Sequence, residues 1–299
     1  MLGWILQRNY IGKKVSYETI KLIEEGEKMG MKLELHDPSA FEIVVTREDR
    51  KSVLLYNIST KIPDFLFPRM GATTTYFALA LMRHFEKLGV YCINTSHSIE
   101  TVKDKLFQMQ ILASNNLPIP KTILAKFPVD TTFVQKQLGY PVIVKALSGS
   151  QGSGVFLAND ENNLEDFMKM IEITNKESNL ILQEFIAGSK GRDLRVFVVG
   201  DKVIGAMERY ATDDSFKANF SRGGGVRAYK VSAQVEEKVI EITKLFNLKI
   251  AGIDLLFDGE NFKICEVNSS PGFKGLEQAI EKNVAKEILT YIKDEVRKQ

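Results

Sequence analysis

The chain is 299 residues long, more than one ordinary hydrophobic core serves and enough for two or three domains. Its 44% apolar and 26% charged composition is that of a globular protein, and no run approaches the roughly 18 apolar residues of a membrane span. A formal net charge of only +2 offers no bulk electrostatic reason to expect DNA, RNA or a membrane surface as partner.

The elements alternate from the start. Residues 3–6 form a short apolar strand, 17–29 carry helical periodicity, and 32–36 alternate as a strand that stops at Asp37-Pro38. Strands are expected at 52–57, 64–67 and 91–94, with a helix over 76–88 ended by Gly89. This pattern predicts a small α/β unit over 1–96 with a parallel sheet. A single linking helix is expected over 99–114, because Ile99, Val102, Leu106 and Met109 recur at three and four. Residues 97–185 then read as linking helix plus central domain, with strands at 122–125, 142–146, 155–158 and 180–185 and helices at 132–138 and 164–173. Residues 186–299 form the last domain. Its strands at 194–199 and 203–209 flank the hairpin signal Gly200-Asp201. A polar, glycine-rich loop over 213–227, a helix at 235–246, a strand pair at 250–257 and 262–267, and a closing helix at 276–292 complete it.

Cys92 and Cys265, and the histidines at 36, 84 and 97, are scattered without metal or triad spacing, so two free thiols in a reducing compartment are expected. Residues 1–6 lack the basic flank and cleavage site of a leader, and a cytoplasmic protein is expected.

Chemistry concentrates at three places. Glu266 and Asn268 are two apart on one strand and face the same side. A hairpin would set Asp254, on the preceding strand, opposite them. Two carboxylates and an amide oxygen make a hard site suited to Mg²⁺ or Mn²⁺. Lys145 ends a buried strand and precedes the glycine-rich stretch 148–154, whose backbone N–H groups can cover phosphates. That stretch joins strand to strand and lacks both G-x-G-x-x-G and G-K-[ST], which excludes a dinucleotide fingerprint and a P-loop. The third place is Gln183-Glu184-Phe185 followed by Gly191-Arg-Asp193-Leu-Arg195, a strand end and polar turn that can meet a nucleoside.

In this order the residues resemble the ATP-grasp superfamily, and within it the RimK-type glutamate ligases. Pro68-Arg69-Met-Gly71, Asp104-Lys105, Glu208-Arg209 and Asn219-Phe-Ser-Arg222-Gly-Gly224 extend the likeness over nearly the whole chain. The resemblance implies an α/β ATP-grasp fold with an N-terminal Rossmann-like pre-ATP-grasp domain. It implies ATP between the central and C-terminal domains and one or two Mg²⁺ or Mn²⁺ ions on Asp254, Glu266 and Asn268. Lys105 and Lys145 would contact phosphates, Glu184 and Phe185 the adenine and its sugar, and Asp193 the ribose. Lys217, Ala218 and Asn219 would close the site. Phe185 and Ala218 depart from the tyrosine and serine common in that branch, which leaves ATP use intact and bears on the acceptor. The expected reaction activates an acceptor carboxylate as an acylphosphate and adds L-glutamate. The acceptor would be the C-terminus of a small-subunit ribosomal protein, or a growing poly-α-glutamate. Arg209 is the candidate donor to the tetrahedral oxyanion, and Arg69, Arg222 and Arg227 are candidate readers of the glutamate carboxylates. The branch suggests a homo-oligomer, often a tetramer. The alternative is a ligase for a small-molecule or carrier-protein acceptor; a nucleotide sensor without turnover would not need both carboxylates.

Overall fold

The computed structural model describes residues 1–8, 15–45, 47, 52–147, 154–175, 179–218 and 223–298. The N-terminal layer is a parallel sheet of β1 (Leu2–Leu6), β2 (Lys32–His36), β6 (Phe65–Pro68) and β7 (Tyr91–Cys92) in the order β2-β1-β6-β7. Strands this apolar (Gly3 to Leu6 and all of β6 are buried) need cover on both faces. Helices α1 (Tyr17–Lys28) and α2 (Tyr76–Lys87) supply it, capped at their N-termini by the hydroxyls of Ser16 and Thr75. A small antiparallel sheet of β3 (Phe41–Ile43), β4 (Val53–Leu55) and β5 (Ile58–Ser59) is added at the side.

The single linking helix expected over 99–114 is two helices, α3 (Ser96–Lys103) and α4 (Lys105–Ser114). Asp104 sits between them with extended backbone (φ −86°, ψ 107°) and accepts from the N–H groups of Leu106 and Phe107 at 2.9 and 3.0 Å. The carboxylate satisfies donors that a helix start leaves orphaned, so the chain turns there although the apolar spacing runs straight through.

The central layer is an antiparallel sheet of β8 (Thr122–Leu124), β9 (Val142–Ala146), β10 (Val155–Ala158) and β11 (Leu180–Glu184) in the order β10-β9-β11-β8. Helices α5 (Thr131–Leu138) and α6 (Glu161–Asn175) cover the face made by Val142, Val144, Leu180 and Leu182. Alternation turns Lys145 and Gln183 to the other face, in register with Ile181 and Ile143.

The C-terminal layer is a five-stranded antiparallel sheet: β12 (Arg192–Val199), β13 (Lys202–Tyr210), β14 (Gly225–Ala228), β15 (Ile250–Asp258) and β16 (Asn261–Asn268), in the order β14-β13-β12-β15-β16. Strand β14 lies partly within the segment expected to be all loop. Only one of its residues before Ala228 is apolar, so no alternation marks it, and its pairing with β13 makes it a strand. A Cβ at Gly225 would stand 2.3 Å from the Tyr210 ring, so that ring would have to shift to admit a side chain there. The expected closing helix is also two, α8 (Lys274–Ile280) and α9 (Val284–Val296), separated by Glu281 in the left-handed region (φ 51°) and by the Asn283 cap.

One face of this sheet (Leu194, Val196, Val198, Ile253, Leu255) packs on α7 (Ala233–Leu245) and α4. The other face (Phe197, Val199, Ile250) shares a core with α8 and α9 and with Ile5, Leu22, Phe65 and Phe67 of the first layer. Buried Asn94 stitches that seam. Its amide donates to the carbonyls of Ile250 and Ser269 at 2.8 and 2.9 Å, and its oxygen accepts from the N–H groups of Lys249 and Ile250 at 2.6 and 3.0 Å.

Candidate active site

The β15–β16 hairpin sets Asp254 opposite Glu266 and Gly252 opposite Asn268, with a register shift immediately after Asp254. Asp254, Glu266 and Asn268 therefore project from one face, while Ile253 and Val267 enter the core behind them. Gln108 of α4 holds β16 between the two ligand candidates. Its side-chain oxygen accepts from Val267 N–H at 2.8 Å and its amide donates to the Val267 carbonyl at 3.1 Å and to that of Val102.

Asp254 is 5% exposed and fully engaged. Arg195 forks onto it, Nε to Oδ1 at 2.6 Å and Nη2 to Oδ2 at 2.7 Å. Arg209 Nη2 lies 3.0 Å from Oδ2, and Asn268 Nδ2 donates to the same oxygen at 3.3 Å. Arg209 also forks onto Asp193 at 2.6 and 2.7 Å. Burial alone would push the Asp254 carboxyl up, but the two guanidiniums overcome it and hold it at about 2. The same carboxylates raise Arg209 further above its ordinary value, against burial.

In this network Asp193 turns its carboxylate to Arg209, and Arg209 is shared between Asp193 and Asp254. Arg195, to which the sequence assigned no role, is the nearest neighbour of Asp254. Its only sequence signal was its place two residues from Asp193 on a strand.

A narrow cleft opens between the central sheet and the hairpin, lined by Lys105, Gln108, Lys145, Gln183, Cys265 and Glu266 among others. Lys145 Nζ reaches Cys265 Sγ at 3.5 Å, and Lys105 Nζ donates to the Leu147 carbonyl at 3.3 Å. The two expected phosphate lysines and one expected metal ligand thus share one cleft. A larger surface groove lies between α1 and the α8–α9 corner, where Lys21 pairs with Glu24 and Lys28 with Glu25. We place the chemistry in the smaller cleft.

At the rim, Glu184 Oε1 accepts from Lys263 Nζ at 2.6 Å and from Lys121 N–H at 2.8 Å. Burial pushes this carboxyl up, yet those bonds hold it below the usual carboxylate range. Its carboxylate is therefore shared between Lys263 and the Lys121 backbone, and Phe185 follows half-buried at the strand end. The loop bearing Lys217 and Ala218 docks on Gly191, whose N–H donates to Phe216 O at 3.1 Å and whose carbonyl accepts from Ala211 N–H at 2.7 Å. Lys217 lies over the Phe216 ring. Residues 148–153, Asn219 and Arg222 lie outside the described residues.

The remaining arginines separate. Arg227 forks onto Glu208 at 3.0 and 2.9 Å, on the sheet face opposite Asp254, because its register partner is Glu208 and not Arg209. Its guanidinium thus lies away from the Asp254 face. Arg69 ends the segment after β6 and donates Nη2 to the Pro271 carbonyl at 2.9 Å, three residues beyond Asn268. Its Nε and Nη1 are buried without any hydrogen-bond partner among the described residues. Burial pulls the Arg69 guanidinium down from its ordinary value, and Glu18 opposes that pull.

The donor set fits a hard cation: two carboxylates and an amide oxygen on one face. Among the described residues no group of three His, Cys, Asp or Glu side chains is placed to hold a metal. No helix of the described residues is long and apolar enough to cross a membrane.

The chain is similar to known proteins along nearly its whole length. The sequence matches the RimK pre-ATP-grasp domain over residues 4–99 and the RimK-like ATP-grasp domain over residues 102–292. A probable alpha-L-glutamate ligase of Rhodopirellula baltica is 35% identical over 283 residues, covering 94% of this chain and 69% of that protein. One of Legionella pneumophila is 34% identical over 284 residues, covering 94% and 93%. The ATP-grasp ligase PsnB, solved with a minimal precursor, superposes with a TM-score of 0.75 at 16% identity, covering 98% of this chain and 97% of that one. A RimK domain protein of Sphaerobacter thermophilus gives 0.74 at 17%, covering 97% and 99%. At such identities the structures speak for the fold alone. Fold, cleft and sequence define an ATP-dependent carboxylate–amine ligase that forms ADP, with Mg²⁺ as the cation of its class. More narrowly, the chain belongs to the RimK-like ATP-grasp family.

Proposed function

We propose that the protein joins L-glutamate to an acceptor carboxylate through an acylphosphate, with a peptide C-terminus as the acceptor class. The C-terminus of a small-subunit ribosomal protein, or a growing α-linked glutamate chain, is the particular form of that reading. The observation that carries it is the meeting of Glu266, and with it Asp254 and Asn268, with Lys105 and Lys145 in one cleft. The curated relatives named for glutamate, and the solved ligase bound to a precursor, support the choice of amino acid and of a peptide acceptor.

A carboxylate does not acylate an amine at neutral pH because its oxygen is too poor a leaving group. An acceptor oxygen attacks the γ-phosphorus of ATP, the bond to the bridging oxygen breaks, and ADP leaves. The glutamate amine then attacks the acyl carbon, loses a proton, and phosphate departs. Lys105 and Lys145 position and neutralise the phosphates, which is most of what phosphoryl transfer asks of a protein. Asp254, Glu266 and Asn268 would hold the divalent cation, Mg²⁺ or Mn²⁺, which would supply further charge neutralisation. Arg209, permanently charged between its two carboxylates, is the candidate donor to the tetrahedral oxyanion. Arg69, with its unmet donors, is the best-supported reader of a glutamate carboxylate.

Purified protein with Mg·ATP and glutamate should release ADP and form an amide, and hydroxylamine should trap the activated acceptor as a hydroxamate. Asp254→Asn should stop both. ADP release indifferent to every amino acid would sink the reading, and mass spectrometry of acceptors after reaction would show whether glutamates add singly or as a ladder.

A further inference from the structure

The side chains around Asp254 form a closed charge balance. Arg195 and Arg209 contribute two positive charges, Asp193 and Asp254 two negative ones, and every oxygen of Asp254 accepts at 2.6–3.3 Å. Among the described residues Asp254 and Asp193 are thereby neutralised by the two arginines, and Glu266 is the remaining carboxylate on that face. A divalent ion that takes an oxygen of Asp254 must compete with the Arg195 fork. Once it does, the group carries a net surplus of positive charge, which an anion beside it relieves.

From this geometry we infer that Arg195 is a latch on the metal site: it holds Asp254 in place, resists cation binding to the nucleotide-free protein, and yields to a cation that arrives with phosphates. Arg195 is a positioning residue here, acting through Asp254. The fork is well suited to the task because it is planar, cannot lose its charge, and fixes both oxygens at once. Arg209 cannot do the same, since its own fork is committed to Asp193 and only one nitrogen reaches Asp254. The arrangement ties metal affinity to nucleotide occupancy as a coupling between two ligands of one site, of the usual size of about 5- to 150-fold. It follows that metal and phosphate enter together, and that the cleft does not collect cations in the absence of nucleotide.

The inference rests on Asp254 being a metal ligand, and the experiment separates the two. Mn²⁺ alone is titrated into the full chain and followed by electron paramagnetic resonance, with and without ADP, in wild type, Arg195→Gln and Asp254→Asn. Wild type should bind Mn²⁺ weakly alone and about tenfold or more tighter with ADP. Arg195→Gln should bind Mn²⁺ alone about tenfold tighter than wild type and lose most of the ADP dependence. Arg195→Gln that binds Mn²⁺ alone no better than wild type, while Asp254→Asn abolishes binding, overturns the latch and leaves the metal site standing. Asp254→Asn without effect overturns both. If Arg195→Gln does not fold, Arg195→Lys carries the test, because it keeps the charge and loses the fork. A gain in Mn²⁺ affinity then supports the latch, and wild-type affinity overturns it.

Discussion

Arg69 combines two costs that a protein rarely keeps together: a buried positive charge and two unmade donors. A substrate carboxylate would remove both. Arg69→Met should therefore leave the ligand-free protein as stable as wild type or more so, while raising the KM for glutamate about 10- to 100-fold, the worth of a charge-assisted pair. The KM for ATP should move little, and Arg69→Lys should recover only part of the loss because it lacks the fork. A parallel rise in both KM values would show that Arg69 holds the domain seam and not the amino acid. Asp254 makes a second prediction at this scale. Its carboxyl sits at about 2 in the folded chain, against roughly 3.9 unfolded. Its ion pairs are thus fully present above about pH 4 and are lost as pH falls towards 2, a contribution on the order of 2 kcal/mol. Urea midpoints measured from pH 5 to 2 should fall less steeply for Asp254→Asn than for wild type. Equal slopes would mean that other carboxylates dominate the acid transition.

Elements place these residues, and small side chains place the elements. Gly191 has φ +68°, and a Cβ there would stand 2.8 Å from the Ser215 carbonyl. Gly191→Ala should push the loop bearing Lys217 and Ala218 off its seat, at a cost of about 1–3 kcal/mol, and raise the KM for ATP; an unchanged KM would show that this loop does not meet the nucleotide. Gln108→Leu removes both partners of buried Val267 N–H and C=O, so a loss of roughly 2–4 kcal/mol is expected in a denaturant titration. The hairpin around Val267 shows what was legible in the sequence. Glu266 and Asn268 were readable because an i, i+2 pair on a strand must share a face, and Asp254 because a hairpin follows from Asp258-Gly259-Glu260. The helix break at Asp104 was not, since the apolar spacing continues across it and only the side-chain cap reveals it. Arg195 on Asp254 and Arg227 on Glu208 were not readable either. Which arginine meets which carboxylate depends on strand register, and one residue of slip exchanges the faces.

At the scale of the molecule, three sheets are joined unequally. The first and last layers share one core running from Ile5 and Phe67 to Phe197, Phe273 and Ile288, with Asn94 bonded across the seam. The central layer has a smaller core of its own, around Val134, Val144, Leu164 and Leu182. It meets the last sheet at adjacent points on β16: Ile264 N–H donates to the Pro118 carbonyl at 2.7 Å, and Lys263 pairs with Glu184 at 2.6 Å. A body so attached should open at the hinge before either of the others unfolds. In native-state hydrogen exchange, β9 and β11 should therefore exchange through a lower-energy opening than β1, β12 and β15, which should exchange together through the global transition. Bound Mg·ADP should raise protection in β9 and β11 most, because the nucleotide would bridge Lys145 to the hairpin. Lys263→Met should lower that protection without moving β1 or β12. Equal protection of all three sheets, in wild type and in Lys263→Met alike, would show instead that the cleft is closed by rigid packing and that nucleotide enters by another route.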